Sequence, residues 1–499
     1  MVTGTIIRAM PITRRVFLVG MGGYSTALGA LGVRAETPEL WKLGIVEASG
    51  LIRRKAISPV ELTQAFLARI EKINPLVNAF ITVTAEQALQ QARDAEKEIQ
   101  RGQWRGPLHG IPIGLKDLID TQGIRTTAAS AVFKDRVPTE DAEVVRKLKS
   151  AGAILLGKLN MHECAFGGTS VPSHYGAVRN PWNRSRIAGG SSGGSGAAVA
   201  AGLCCGALGS DTAASVRHPA AYCGITGLKP TYGRVSTRGV IPLSWSLDHI
   251  GPLCRSAMDA AVMLETIAGY DALEPTSVDW PVERYSNGMR MKTRSLRLGV
   301  VRRPYFEQLD PDIEARVKEA IQMLEGIASR VREVELPYSN LLMTVASAEA
   351  YSFHAPYFTR NPELYQPMTR RRLEQAATLS TSAYIAARRE LDQLRRQADS
   401  AFSTVDLLIS PTTVIAPISI EVGSADPPLP PDGTPVEFRN THMFDVLGLP
   451  AISIPCGFTR DGMPVGLQIA GPRFAESRVL ALAHAYQQLT DWHTRRPAI

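Results

Sequence analysis

The run Gly189-Gly190-Ser191-Ser192-Gly193-Gly194-Ser195-Gly196 leads without a break into Ala197-Ala198-Val199-Ala200-Ala201. A backbone this poor in β-carbons can turn sharply and aim amide N–H groups from a helix N-terminus at an anion or a developing oxyanion. Three readings are open here. A Walker phosphate loop requires Lys and Ser/Thr after the glycines, and neither follows. Gly-x-Ser-x-Gly occurs twice, centred on Ser191 and on Ser192, which is the pattern of a nucleophile elbow. An elbow follows a strand directly, however, and Asn180-Pro181-Trp182-Asn183-Arg184-Ser185-Arg186 is a poor strand. A flexible linker is excluded by the apolar helix that follows at once.

Around this centre the periodicity alternates between strand and helix. Ser58-Pro59-Val60-Glu61 reads as a capping box with proline at the first helical position, ahead of Phe66, Ile70 and Ile73 at helical spacing. The stretch 108–119 is short, apolar and β-branched, so it reads as a buried strand with its turn. Residues 141–151 read as a helix stopped at Gly152, and 153–156 as a strand. Downstream, 296–301 and 331–336 read as strands around a helix opened by Asp310-Pro311. Mixed-charge helices over 362–402, a strand at 406–409, a proline-rich loop at 427–435, a strand at 451–455 and a closing helix at 476–492 complete the order. This alternation predicts a single α/β domain over residues 36–499, with a central mixed, largely parallel sheet covered by helices on both faces.

The formal charge is +8, but Arg8, Arg14, Arg15 and Arg34 lie in an acid-free N-terminus, which leaves +4 on the rest. The remaining cations alternate with acids along helices, which describes a solvated face, so no nucleic-acid partner is expected. Thr13-Arg14-Arg15-Val16-Phe17-Leu18 opens a weakly apolar, Gly-rich stretch that resembles a twin-arginine export signal, with cleavage after Ala35 and a periplasmic address as the expectation. No later segment is a candidate membrane span. The six cysteines lack CxxC spacing and read as buried thiols. The nine histidines form no metal-ligand pattern, so neither a metal nor another cofactor is expected.

A second small-residue segment, Gly209-Ser210-Asp211-Thr212-Ala213-Ala214-Ser215-Val216-Arg217-His218, follows the first. Together with Lys116 in Gly110-Ile111-Pro112-Ile113-Gly114-Leu115-Lys116-Asp117, the two segments resemble the amidase signature family. Gly157-Lys158-Leu159-Asn160-Met161, Cys223-Gly224-Ile225-Thr226-Gly227-Leu228-Lys229-Pro230 and Leu247-Asp248-His249-Ile250-Gly251-Pro252 match as well, and the resemblance runs from about residue 40 to the C-terminus.

The resemblance implies that Ser215 is the nucleophile, that Ser191 follows a cis peptide and relays a proton, and that Lys116 is the base. A hydroxyl needs such a base, and a lysine serves as one when burial lowers its pKa. It further implies an oxyanion hole from the backbone N–H groups of Thr212, Ala213, Ala214 and Ser215, support from Asp211 and Arg217, and substrate contacts at Met161, Gly168 and Thr169. His218 receives no catalytic role. One departure stands out: Ala213 and Ala214 occupy positions where the family usually has two glycines. The expected activity is hydrolysis of a small-molecule amide, anilide or carbamate through an acyl-enzyme, by a lone chain or homodimer. The rival reading is the A subunit of a cytoplasmic tRNA-dependent amidotransferase, which resembles this chain in the same motifs and against which the export signal weighs. A catalytically silent binding protein is a third, disfavoured by retention of all three reacting residues.

Overall fold

A computed structural model of the protein describes residues 39–425 and 435–499. The expected export signal at 1–35 and most of the proline-rich loop fall outside them. Eleven strands form one sheet: β1 (Phe80–Val83), β2 (Pro112–Lys116), β3 (Ile154–Leu159), β4 (Gly206–Asp211), β5 (Thr226–Lys229), β6 (His249–Cys254), β7 (Arg297–Val301), β8 (Arg330–Val334), β9 (Leu407–Pro411), β10 (Ala451–Phe458) and β11 (Pro464–Ala470). Their spatial order is β1-β3-β2-β4-β6-β5-β10-β11-β9-β7-β8.

The α/β class and the mixed sheet are as the sequence predicts. Parallel pairing joins β2 to β3 and β4, and β7 to β8 and β9. The centre of the sheet, from β4 through β6, β5, β10 and β11 to β9, is antiparallel throughout. Strand-helix alternation therefore overstates the parallel share, because β10 and β11 are a hairpin and β5 and β6 are antiparallel neighbours without a crossover helix. Every residue of β2, β3, β4, β5, β6, β9 and β11 is buried. Successive side chains of a strand point to opposite faces, so these strands are covered on both.

Local chemistry sets the element ends. The helix Pro59–Val77 starts at a complete capping box between Ser58 and Glu61, and Phe66, Ile70 and Ile73 are buried on its inner side. Such a cap contributes about 1 kcal/mol. At the β1–β3 pairing, Gly157 holds φ +146° with its α-carbon so near the neighbouring strand that a β-carbon would stand 2.0 Å from the Thr82 carbonyl oxygen. All six cysteines are free and buried.

Candidate active site

β2 delivers the lysine expected to act as base. Lys116 is its last residue and is fully buried, a position reached because Ile113 and Leu115 on the same strand are core residues. Its Nζ lies 2.6 Å from Ser191 Oγ and 2.8 Å from Ser210 Oγ. Burial lowers its pKa to about 7, opposed by the charges of Asp211 and Asp248. A lysine so placed is substantially neutral near physiological pH and can accept a proton.

The glycine-serine run then places Ser191. The Gly190–Ser191 peptide is cis, and the Ser191 carbonyl accepts from the His162 amide at 3.0 Å and from Ser170 Oγ at 3.1 Å. The helix Gly193–Ala201 begins directly after it. A β-carbon on Gly194 would come within 2.2 Å of the Asn160 carbonyl oxygen, so this glycine permits the close approach of helix and β3 terminus. Ser192 points elsewhere: its Oγ donates to the Ser210 carbonyl. Of the two serines with elbow spacing, Ser191 is the one in contact with Lys116, and no strand leads directly into it, so the site is not an α/β-hydrolase elbow.

β4 ends at Asp211, and the chain then loops through Thr212, Ala213, Ala214 and Ser215 into the helix Arg217–Cys223. The Ser192 amide donates to the Ser215 carbonyl at 3.2 Å, which seats Ser215 beside Ser191. The Ser215 hydroxyl makes no hydrogen bond among the described residues and opens on a narrow pocket lined by Phe166, Gly167, Ala213, Leu243, Arg372 and Phe438, among others. The amides of Ala213, Ala214 and Ser215 donate to nothing among the described residues. Both alanines keep negative φ. Ala213 lines the pocket, whereas Ala214 is wholly buried in the core behind it.

Asp211 and Arg217 lock this loop from beneath. Arg217 Nε and Nη2 each donate to Asp211 at 3.0 Å, and Nη1 donates to the Thr441 carbonyl at 2.8 Å and to Gln468 Oε1 at 2.9 Å. Its Nη2 also donates to Asp445. Asp211 Oδ2 accepts from the Val216 amide at 3.0 Å. Burial pushes the Asp211 carboxyl up, but the Arg217 charge and its hydrogen bonds outweigh that and hold it well below the usual carboxylate range. Asp445 shifts the other way, well up, because burial dominates.

The remaining expected residues are less direct. Met161 is a core residue, and Thr169 Oγ1 stands 3.4 Å from His162 Nδ1. Gly168 packs on Phe438, where a β-carbon would meet the ring at 2.6 Å. The segment reaches the pocket through Ala165, Phe166 and Gly167 instead. The ring of His218 packs on Tyr222 with centroids 4.2 Å apart, makes no hydrogen bond to Ser215, and is pushed down to about 4 by burial. Ser210, Asp248 and Asp445 are contacts that sequence reasoning did not single out; Ser210 and Asp248 stand inside the quoted motifs, but nothing in the spacing marks their direction. No cluster of His, Cys, Asp and Glu among the described residues could hold a metal ion.

The family model described as Amidase matches residues 61–480. The chain is 40% identical to the A subunit of glutamyl-tRNA(Gln) amidotransferase from Moorella thermoacetica over 488 residues, 92% of this chain and 99% of that relative. Among solved structures it resembles the A subunit of the same enzyme from Thermotoga maritima, with TM-score 0.77 and 33% identity over 92% of this chain and 97% of that one. It also resembles a peptide amidase in complex with the competitive inhibitor chymostatin, with TM-score 0.80 and 30% identity over 93% and 99%.

These likenesses correct two expectations. The relatives are named as one subunit of an assembly acting on a charged tRNA, which overturns the picture of a lone chain or homodimer confined to small amides, anilides or carbamates with no nucleic acid. The same finding overturns the twin-arginine signal peptide and the periplasmic address, for the paired arginines that suggested them are a short pattern, whereas the likeness spans nearly the whole chain. No helix among the described residues is long and apolar enough to cross a membrane. The match over 61–480, a fold shared with solved amidases and a buried lysine against the glycine-serine run together show that the chain belongs to the Amidase family, the amidase signature enzymes.

Proposed function

We propose that the protein cleaves a primary carboxamide through an acyl-enzyme on Ser215 and serves as the A subunit of a cytoplasmic, tRNA-dependent amidotransferase. The observation that carries the chemistry is the 2.6 Å contact between buried Lys116 Nζ and Ser191 Oγ, with the lysine lowered to about 7.

Ser215 Oγ attacks the carboxamide carbon. Its proton passes to Ser191 Oγ while the Ser191 proton passes to neutral Lys116 Nζ. Charge develops on the carbonyl oxygen, and the undonated amides of the 213–215 loop are preorganised to receive it; each such donor contributes roughly 3 kcal/mol. The C–N bond then breaks, and the proton returns from Lys116 through Ser191 to the leaving nitrogen, which departs as ammonia. Water, deprotonated by the same relay, opens the Ser215 ester. In an amidotransferase the released ammonia displaces the leaving group of an activated carboxyl group carried by tRNA. Identity of 40% along 99% of such an A subunit supports that role.

Two measurements test it. Fluorophosphonate labelling should map to Ser215 and ammonia release from glutamine or asparagine should vanish in Ser215→Ala; label on Ser191 or Ser192 overturns the chemistry. Tagged protein purified from its own cells should bring down partner proteins and amidate a mischarged tRNA. A chain that purifies alone and whose ammonia release ignores charged tRNA overturns the amidotransferase role.

A further inference from the structure

A second loop, 243–248, flanks the one that leads into Ser215, and its Leu243 lines the same pocket. Two carboxylates hold it. Asp248, at its end, accepts from the Leu243 and Ser244 amides through one oxygen and from Thr212 Oγ1 through the other. Glu349 comes from the helix Leu342–Phe358 and is only 1% exposed. Its Oε2 accepts from Ser244 Oγ at 2.6 Å and from the Ser246 amide at 3.1 Å. Its Oε1 accepts from Tyr384 Oη at 2.9 Å and from Ser246 Oγ, with Arg388 Nη1 3.6 Å away. The same helix lines the pocket with Leu342, Met343 and Ala346, the last of them one turn before Glu349.

Burying a carboxylate is costly, and hydrogen bonds from neutral donors offset that cost only while all of them stay in place. A leucine would fill the space between helix and loop with no charge to desolvate. What the carboxylate adds is direction, because it orients two serine hydroxyls and one amide of the loop at once. Ser244 is shared between the two acids: its hydroxyl serves Glu349 and its amide serves Asp248. The hydrogen bonds therefore run unbroken from Glu349 through Ser244 and Asp248 to Thr212. Directly after Thr212 come the amides of 213–215, which donate to nothing among the described residues.

We propose that Glu349 is a positioning residue for amide cleavage: through Ser244 and Asp248 it fixes Thr212, and with it the direction of the 213–215 amides. The inference rests on the acyl-enzyme reading of Ser215. Those amides receive charge only in the transition state, so loosening them lowers kcat and leaves KM nearly as it was. A contact that merely fastened the helix to the loop would change stability and neither kinetic constant.

Glu349→Gln in the full chain tests it, since the amide keeps the shape and turns one acceptor among donors into a donor. Ammonia release from glutamine should fall about fivefold in kcat with KM within about twofold, and fluorophosphonate labelling of Ser215 should slow by a similar factor. Thr212→Val cuts the same path at its far end. The double variant should therefore match the slower single variant, because two cuts in one path do not multiply. An unchanged kcat, a loss confined to KM, or effects that multiply in the double variant overturns the proposal. Should Glu349→Gln fail to fold, Ser244→Ala, which removes one link and keeps the amide bond to Asp248, decides by the same criteria. Label on Ser191 or Ser192 in the unaltered chain overturns the acyl-enzyme reading and this inference with it. Label on Ser215 at an equal rate in chain and variant overturns this inference alone.

Discussion

Thr212 Oγ1 donates to Asp248 Oδ1 across 2.5 Å, so the loop proposed to offer its amides to the reacting oxygen is tied at its first residue to a carboxylate inside the protein. The other oxygen of Asp248 accepts from the amides of Leu243 and Ser244 at 2.9 and 3.0 Å. Asp248→Ala removes both acceptors and breaks the arrangement. We expect kcat to fall about tenfold with KM little changed, because the loop receives charge only in the transition state, and stability to fall by about 1–3 kcal/mol. Steady-state kinetics separates the two; a change confined to KM contradicts a role in the loop.

The pH profile should show a single rising limb. Burial lowers Lys116 to about 7, so its neutral, proton-accepting form grows as pH rises through that value. Burial raises Asp248 to about 6, so its carboxylate also forms in the same direction. Both groups lose the required form as pH falls. The expected kcat/KM therefore climbs between about pH 6 and pH 8 and then levels. A profile flat across that interval shows that Lys116 is not the base.

Arg217 faces Asp211 and Asp445 in the interior, where all three side chains are fully buried. Replacing it by Met leaves the buried Asp211 carboxylate without its guanidinium and removes the hydrogen-bond donor of Asp445. Denaturant unfolding should show a loss of about 3–5 kcal/mol, far above what an exposed ion pair contributes. A loss below about 1 kcal/mol indicates that the carboxylates protonate at no cost to the fold.

Ala213 and Ala214 should separate by substitution with glycine. Ala213 lines the pocket, so Ala213→Gly is expected to improve turnover of larger acyl groups relative to small ones, measured as a ratio of kcat/KM values. Ala214 is buried away from it, so Ala214→Gly should leave that ratio unchanged. Each substitution should cost roughly 1 kcal/mol through added freedom of the unfolded chain. An equal ratio in both variants removes Ala213 from acyl selection.

How much of this was legible depended on how local the signal is. Ser191 and Ser215 stood out because each sits in a run unusually rich in small residues, whereas Lys116 lies in a stretch that reads as an ordinary buried strand and stood out only through the family resemblance. The capping box of Ser58 and Glu61 was readable because its signal is local. The central strands β4 and β6 were not. β4 is Gly-Ala-Leu-Gly-Ser-Asp, with no β-branched residue, and β6 carries Pro252 in its interior, so both contradict strand propensity and are set by tertiary packing. The partners of Arg217 lie 224, 228 and 251 residues away at Thr441, Asp445 and Gln468. No periodicity reports a contact of that range. Asp211, six residues away, was within reach, and it is the partner the sequence indicated.

That separation bears on when the protein becomes an enzyme. Lys116, Ser191 and Ser215 have all been synthesised by the time β6 ends at Cys254, along with the strands that carry them. The anchors of Arg217 arrive only near the end of the chain, on the helix His442–Val446 and on β11. A nascent chain thus owns its full reacting set long before it can hold the loop in shape. On the proposed mechanism, activity is therefore expected only of a chain that has reached β11.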